Sequence, residues 1–263
     1  MTPSELEQLR RCYPTRAGFA ELSERSVFGE HDLHHTLKDL SWFELNLYGI
    51  TGRRFSPVQV RVLNYVWLQT SYADVRIWPN RIVALAGSAR TTPLLALVGG
   101  LASCDAELFV ATPLVRCLAT LRRLREKVRA GDSLETLLQA ELDQGRTVYG
   151  FGRPIASVDE RVPHLVMFLR DLDADRGECF RLAFRIEAFL LEAKQIRMNI
   201  AALLAAVCAD LGFDEVQMHL FSSLLVFAGM PPCYLDAKRV PPGGVLPLRC
   251  DDVRYTGVSP RKW

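Results

Sequence analysis

MNIAALLAAVCADLG, residues 198–212, is apolar almost all the way round, and a helix with no wet face has to be enclosed by other helices. Outward from it, VPHLVMFLRDL (162–172) and CFRLAFRIEAFLLEAKQI (179–196) carry apolar residues at helical spacing. On the other side Asp214 stands as an N-cap for EVQMHLFSSLLVFAG (215–229). In the first half, Ser56-Pro57 opens PVQVRVLNYVWLQT (57–70), with Ser as cap and Pro in the first turn, where its missing N–H costs nothing. Thr112-Pro113 repeats that signature ahead of LVRCLATLRRLREKV (114–128). Gly131 stops this helix, and Asp132 with Glu135 suggests a capping box for LETLLQAELDQG (134–145). Gly99-Gly100 interrupts the apolar PLLALVGGLAS (93–103). Two glycines inside a helix cost about 1 kcal/mol each relative to alanine, so they point to a tight helix–helix contact, for instance between subunits, or to a local kink. From Pro231 the chain turns rich in Pro and Gly and reads as an irregular tail. β-Branched runs of period two are nearly absent, so the expected fold class is all-α.

Composition excludes several functions. The chain has 263 residues, is 49% hydrophobic and 24% charged, and sets 32 Lys and Arg against 30 Asp and Glu. Such a balance argues against nucleic acid as a partner. The basic run Arg122, Arg123, Arg125, Lys127 and Arg129 is interleaved with Leu118, Leu121, Leu124 and Val128 and reads as the wet face of a helix. No apolar stretch reaches the roughly 18 uncharged residues of a spanning helix, and MTPSELEQLRRCYPTR lacks the apolar core of a secretory signal. The expectation is no membrane partner. Cys12, Cys104, Cys117, Cys179, Cys208, Cys233 and Cys250 form no CxxC pair, which suggests reduced thiols in the cytoplasm. His31, His34 and His35 cluster in HDLHH without further ligands in register, and no metal is assigned. Cys104 beside Asp105 and Glu107 should have a raised thiol pKa and make a poor nucleophile. Asp74, Arg76, Asn80 and Arg81 read either as a charged loop before a helix or as a binding pocket.

Three stretches carry a resemblance. YGFGRPIASVDERV (149–162) is similar to a loop written G-[FI]-G-H with an arginine some nine residues on. MNIAALLAAVCADLG resembles a buried helix that begins N-V-D. CYLDAKRV through DDVRYTG (233–257) is similar to the end of the citryl-CoA lyase module of ATP-citrate lyase. Upstream, ALAGSARTTPLLALVGGLAS can be laid on the helix leading to the family's first site. Four ordered matches with compatible gaps resemble the citrate synthase superfamily, most of all its citryl-CoA lyase module. The resemblance implies an all-α fold, with a large helical domain formed by residues 1–110 and 199–263. A smaller inserted helical domain, residues 111–198, would carry the GFGR loop. It also implies a dimer.

The family makes or breaks a carbon–carbon bond beside a CoA thioester. That chemistry uses an Asp as base, histidines as hydrogen-bond donors to developing oxyanions, and arginines on substrate carboxylates. Laid on this sequence, the Asp of N-V-D falls on Ala201, which can neither accept nor give a proton. The histidine of the Gly loop becomes Arg153, which can donate to an oxyanion but cannot act as an acid at neutral pH. Arg153 is thus the one candidate for a catalytic role. The other histidine positions fall near Asp74-Val75 and on Leu108-Phe109-Val110, and a substrate arginine falls near Val226. Gly150, Phe151, Gly152, Arg153, Arg161, Asn199 and Arg249 remain as candidates for binding CoA or substrate. The glycines of the turn should bring backbone amides close to a ligand, and Arg153 should need an anion: a bound carboxylate or phosphate, or Asp159 or Glu160. Two readings follow. One is a non-catalytic or repurposed CoA- or carboxylate-binding member; the other is an active lyase or condensing enzyme. Neither calls for a resident cofactor, and a CoA thioester or polycarboxylate is the expected ligand. The expected partner is a second copy of the chain, or else an active paralogue.

Overall fold

The computed structural model describes residues 2–11, 14–22, 24–153, 158–245 and 247–258; Cys12, residues 154–157 of the GFGR loop and the last five residues lie outside that description. The chain opens with helix α1 (Pro3–Arg11) and an antiparallel meander of β1 (Gly18–Glu21), β2 (Arg25–Phe28) and β3 (His31–Asp32). Helices α2 (Trp42–Thr51), α3 (Pro57–Thr70), α4 (Trp78–Ser88) and α5 (Pro93–Ala102) follow. The middle holds α6 (Ala111–Arg129), α7 (Leu134–Asp143), α8 (Arg161–Asp171) and α9 (Glu178–Lys194). The chain then forms α10 (Ile200–Asp210), α11 (Glu215–Ser222) and α12 (Met230–Ala237). The helical architecture is as expected; the meander is not, because its strands are too short to show a period of two.

Local chemistry explains most helix starts. Ser56 caps α3 and Asp214 caps α11, each in a full capping box with Gln59 and Gln217. The expected box at Asp132 is displaced by one residue: Ser133 accepts the Thr136 N–H and starts α7. Two further expectations need correction. The 215–229 segment is not one helix but breaks after Ser222. The supposed tail at Pro231 is the first turn of α12, since two prolines are tolerated where a helix needs no donors. The stretch Glu215–Ala237 is long and apolar enough to cross a membrane by composition, yet it is divided in this way and half buried in the fold.

α10 is the centre. Its residues from Ala202 to Cys208 are buried, and it shares one core with Leu63 of α3, Leu118 and Leu121 of α6 and Ile186 of α9. The basic face of α6 is outward and paired: Arg123 meets Glu141 at 2.9 Å, and Arg129 meets Glu178. Asp210, at the last turn of α10, accepts the Cys179 and Phe180 N–H groups at 2.8 and 2.9 Å and so caps α9 from outside. Gly177 lies against that carboxylate, where any Cβ would collide with it.

A smaller cluster joins α4, α5 and α12 through Val83, Ala96, Met230 and Tyr234. Val110, a β-branched residue at φ 57°, packs against both clusters as it leads into α6. The paired glycines of α5 serve this smaller cluster. A Cβ on Gly100 would lie 2.5 Å from Val83 Cγ2 and 3.2 Å from the Pro79 carbonyl, whereas one on Gly99 would meet only Ile82 at 3.6 Å. The tight contact is therefore within the chain, and only Gly100 makes it. Gly100→Ala should lower the unfolding free energy by about 1–3 kcal/mol through overpacking. Gly99→Ala should be neutral or stabilising by up to about 1 kcal/mol, because it gains helix propensity. Equal effects in urea denaturation would overturn this assignment.

Candidate functional site

The GFG turn is built against the start of α10. Gly150 and Gly152 adopt φ of 90° and 89°, which residues with a side chain avoid. A Cβ on Gly150 would stand 2.7 Å from the Cys117 sulfur and 2.9 Å from the Ala202 Cα, so this glycine lets the turn lie flat on α6 and α10. Residues 150–152 then run antiparallel to 197–199. The Gly152 N–H donates to the Arg197 carbonyl at 2.7 Å, the Asn199 N–H donates to the Gly150 carbonyl at 2.9 Å, and Phe151 faces Met198. Asn199 donates its Nδ2 to the Gly152 carbonyl at 2.7 Å, while its Oδ1 accepts the Ala201 N–H at 2.9 Å and caps α10. The Met198 N–H goes to Glu187 of α9 at 2.9 Å. The Phe151 N–H goes to the Val148 carbonyl at 3.3 Å. The amides of Phe151 and Gly152 thus point into the chain, not toward a ligand as the sequence suggested.

Asp159 binds this joint together. It is 1% exposed. Its Oδ1 accepts the Arg161 Nε at 2.9 Å and the Arg161 N–H at 3.2 Å; its Oδ2 accepts Arg161 Nη2 at 2.8 Å and the Ile200 N–H at 2.9 Å. Burial by itself would raise the Asp159 pKa. The paired Arg161 bonds and the Ile200 amide outweigh burial and hold it at about 2.

Arg153 sits at the edge of the same joint. Its Nη1 lies 2.7 Å from Glu160 Oε2, 3.2 Å from the Val158 carbonyl and 3.8 Å from Asp159 Oδ1. The anion that Arg153 requires is therefore supplied by the chain, one of the options open in the sequence.

Gly150, Phe151, Gly152, Arg153, Arg161 and Asn199 are thus brought together, with Ala201 beside them in the first turn of α10. Arg249 is not among them: it lies on an exposed stretch, where its N–H donates to Asp252 at 2.9 Å. Among the other candidates, Cys104 is buried and its thiol is pushed up to about 11 by burial, not by the acidic neighbours that the sequence suggested. Asp74 pairs with Arg76 at 2.6 Å on the surface, whereas Asn80 is buried and holds the Tyr72 and Asp74 carbonyls. His164 is exposed, and His219 stands 3.1 Å from Asp105. No metal-ligand cluster occurs among the described residues. The sequence reading missed the burial of Asp159, and it missed Arg116, which stacks over Tyr149 and donates to its hydroxyl.

A depressed carboxylate stabilises the fold above its ordinary pKa and loses that contribution as pH falls through the folded value. For Asp159, moving from 3.8 to about 2, the contribution is about 2 kcal/mol, present at pH 5 and lost between about pH 4 and pH 2. Asp159→Asn should remove this acid dependence and cost about 3 kcal/mol at neutral pH, since it leaves Arg161 without its partner. Urea unfolding at several pH values checks both; an unchanged slope would show that Asp159 is not depressed.

Several known proteins share this arrangement of helices. The citryl-CoA lyase of Hydrogenobacter thermophilus superimposes with a TM-score of 0.83 at 17% identity, covering 96% of this chain and 98% of that one. An ATP citrate lyase from Methanothrix soehngenii, solved with citrate and coenzyme A, gives a TM-score of 0.76 at 15% identity; 98% of this chain is covered but only 45% of that one. The citrate synthase of Thermotoga maritima gives 0.65 at 19% identity over 86% of this chain and 60% of that one. No curated protein sequence matches. At these identities the likeness is one of fold. The sequence model of the citrate synthase C-terminal domain, however, matches residues 7–228, most of the chain. Fold and sequence agree, and the chain belongs to the citrate synthase family.

Proposed function

We propose that this chain is a non-catalytic or repurposed family member that binds a CoA thioester or a polycarboxylate at the GFGR loop. One resemblance supports the reading: laid on the family pattern, Ala201 falls at the base and Arg153 at the Gly-loop histidine, and the two residues flank the same joint between loop and α10. Neither residue can exchange a proton at neutral pH, whereas the backbone that frames them is kept by Asn199, Asp159 and two positive-φ glycines. Arg153 stands beside the N-terminal end of α10 and is paired with the exposed Glu160, so an anionic ligand that took the place of that acid would meet a positive charge there. The alternative, an active lyase or condensing enzyme, draws support from the match along almost the whole of a citryl-CoA lyase chain.

We keep the division into a large domain of residues 1–110 with 199–263 and a smaller one of residues 111–198 as a proposal; a single core joins the two parts. A cytoplasmic setting suits the five buried, unpaired cysteines among the six described. We also propose a homodimer, or a heteromer with an active paralogue, through α4 and α5. Leu94, Leu95 and Val98 of α5 are more than half exposed, and Ile82 and Leu85 of α4 are exposed as well.

Turnover of citryl-CoA, or of acetyl-CoA with oxaloacetate, should be undetectable in the wild type, and Ala201→Asp is the informative gain-of-function variant. Enzyme-like rates in the wild type would establish the alternative. In calorimetry, Arg153→Ala should weaken CoA or citrate binding by about 1–3 kcal/mol, as for a hydrogen bond to a charged group. Equal affinities for the two proteins would remove the site from this loop. Analytical ultracentrifugation should give a dimer at micromolar concentration; a stable monomer would rule out the α4–α5 interface.

A further inference from the structure

The acids around Arg153 differ in their freedom to leave. Asp159 has a side chain with no exposure and four hydrogen bonds, to three donors of Arg161 and to the Ile200 N–H. It cannot be withdrawn without breaking the joint. Glu160 is the opposite case: its side chain is 69% exposed, whereas that of Arg153 is 19% exposed. The arginine is embedded and the glutamate reaches it from solvent. Within this ion-pair cluster, Arg153 and Arg161 face Asp159 and Glu160. The first amides of α10 are already taken, Ile200 by Asp159 and Ala201 by Asn199. Among the described residues, the contact through which an external anion could enter this cluster is therefore the one between Glu160 and Arg153.

We propose that Glu160 is a built-in occupant of the anion position on Arg153, and that a carboxylate or phosphate ligand binds there by displacing it. This rests on the reading of the GFGR loop as an anion site and adds how that site is regulated. When Glu160 swings out, the cluster carries one uncompensated positive charge next to the positive end of α10, and an incoming anion restores neutrality. Because the displaced carboxylate is solvent-exposed, its release costs little, and the latch weakens binding modestly without abolishing it. The latch also selects against singly charged, weakly held anions, which gain no more from Arg153 than Glu160 already does. A ligand with several carboxylates or phosphates can engage Arg153 while its other groups find further contacts.

Calorimetry with two probes tests this: citrate for the carboxylate class, and inorganic pyrophosphate for the phosphate class. Glu160→Ala should bind at least one probe about fivefold more tightly than wild type, the value of an exposed ion pair. It should fold normally, because the removed side chain is mostly in solvent. The gain should vanish in the double variant Arg153→Ala/Glu160→Ala. Binding by Glu160→Ala where wild type shows none would support the latch equally. The same affinity in wild type and Glu160→Ala, lost on Arg153→Ala, would overturn the latch and leave the site standing. A gain that persists without Arg153 would also overturn it. Failure of wild type and Glu160→Ala alike to bind either probe would remove both the latch and the site.

Discussion

The carboxylate of Asp159 holds in place what would otherwise be three separate segments. It is fixed laterally by the Arg161 guanidinium and axially by the first N–H of α10. Because the charge is buried, it is tolerable only with all its partners in place, so the arrangement has one solution. The Gly loop, the beginning of α8 and the beginning of α10 are positioned relative to one another by this group together with the Asn199 cap. The glycines act on the same constraint from the other side: without the close approach of Gly150 to Ala202, the loop would stand off and its bonds to residues 197–199 would not form.

This architecture separates scaffold from chemistry. The bonds that shape the site are made by backbone groups and by residues whose role is to neutralise or cap: Asn199, Asp159 and Arg161. At position 201 only the backbone N–H takes part in those bonds, and the Ala201 side chain adds nothing to them. The side chains at positions 153 and 201 can thus differ without disturbing the bonds of the frame. The fold alone therefore does not report activity.

How much could be read in the sequence depended on the range of the interaction. Helix starts governed by adjacent residues, such as Ser56-Pro57 and Asp214 with Gln217, were plain. Ser133 was missed by one position because both it and Asp132 are good caps, and only the three-dimensional path chooses between them. α12 was hidden because Pro231-Pro232 signals a break and a first turn equally well. The meander was hidden because four-residue strands carry too little pattern. At the site, Asn199 and the Gly turn stood out by resemblance, and Arg153's need for an anion followed from its charge. The inward aim of the turn's amides and the burial of Asp159 did not, since both depend on contacts across some forty residues of chain. Arg249 stands apart from this joint, on an exposed stretch where its N–H is bound to Asp252.

Asp210 has a consequence for the motions of the same helices. α9 and α10 are joined covalently through residues 195–199 at one end, and at the other the Asp210 carboxylate holds the Cys179 and Phe180 amides. A helix ordinarily frays from its first turn, where amide hydrogens exchange with solvent through small local openings. Here the first-turn amides of α9 are clasped by a side chain rooted in the most enclosed helix of the molecule. Their exchange has to wait for the Asp210 carboxylate to let go, so one side chain at the far end of α10 sets how readily the start of α9 opens.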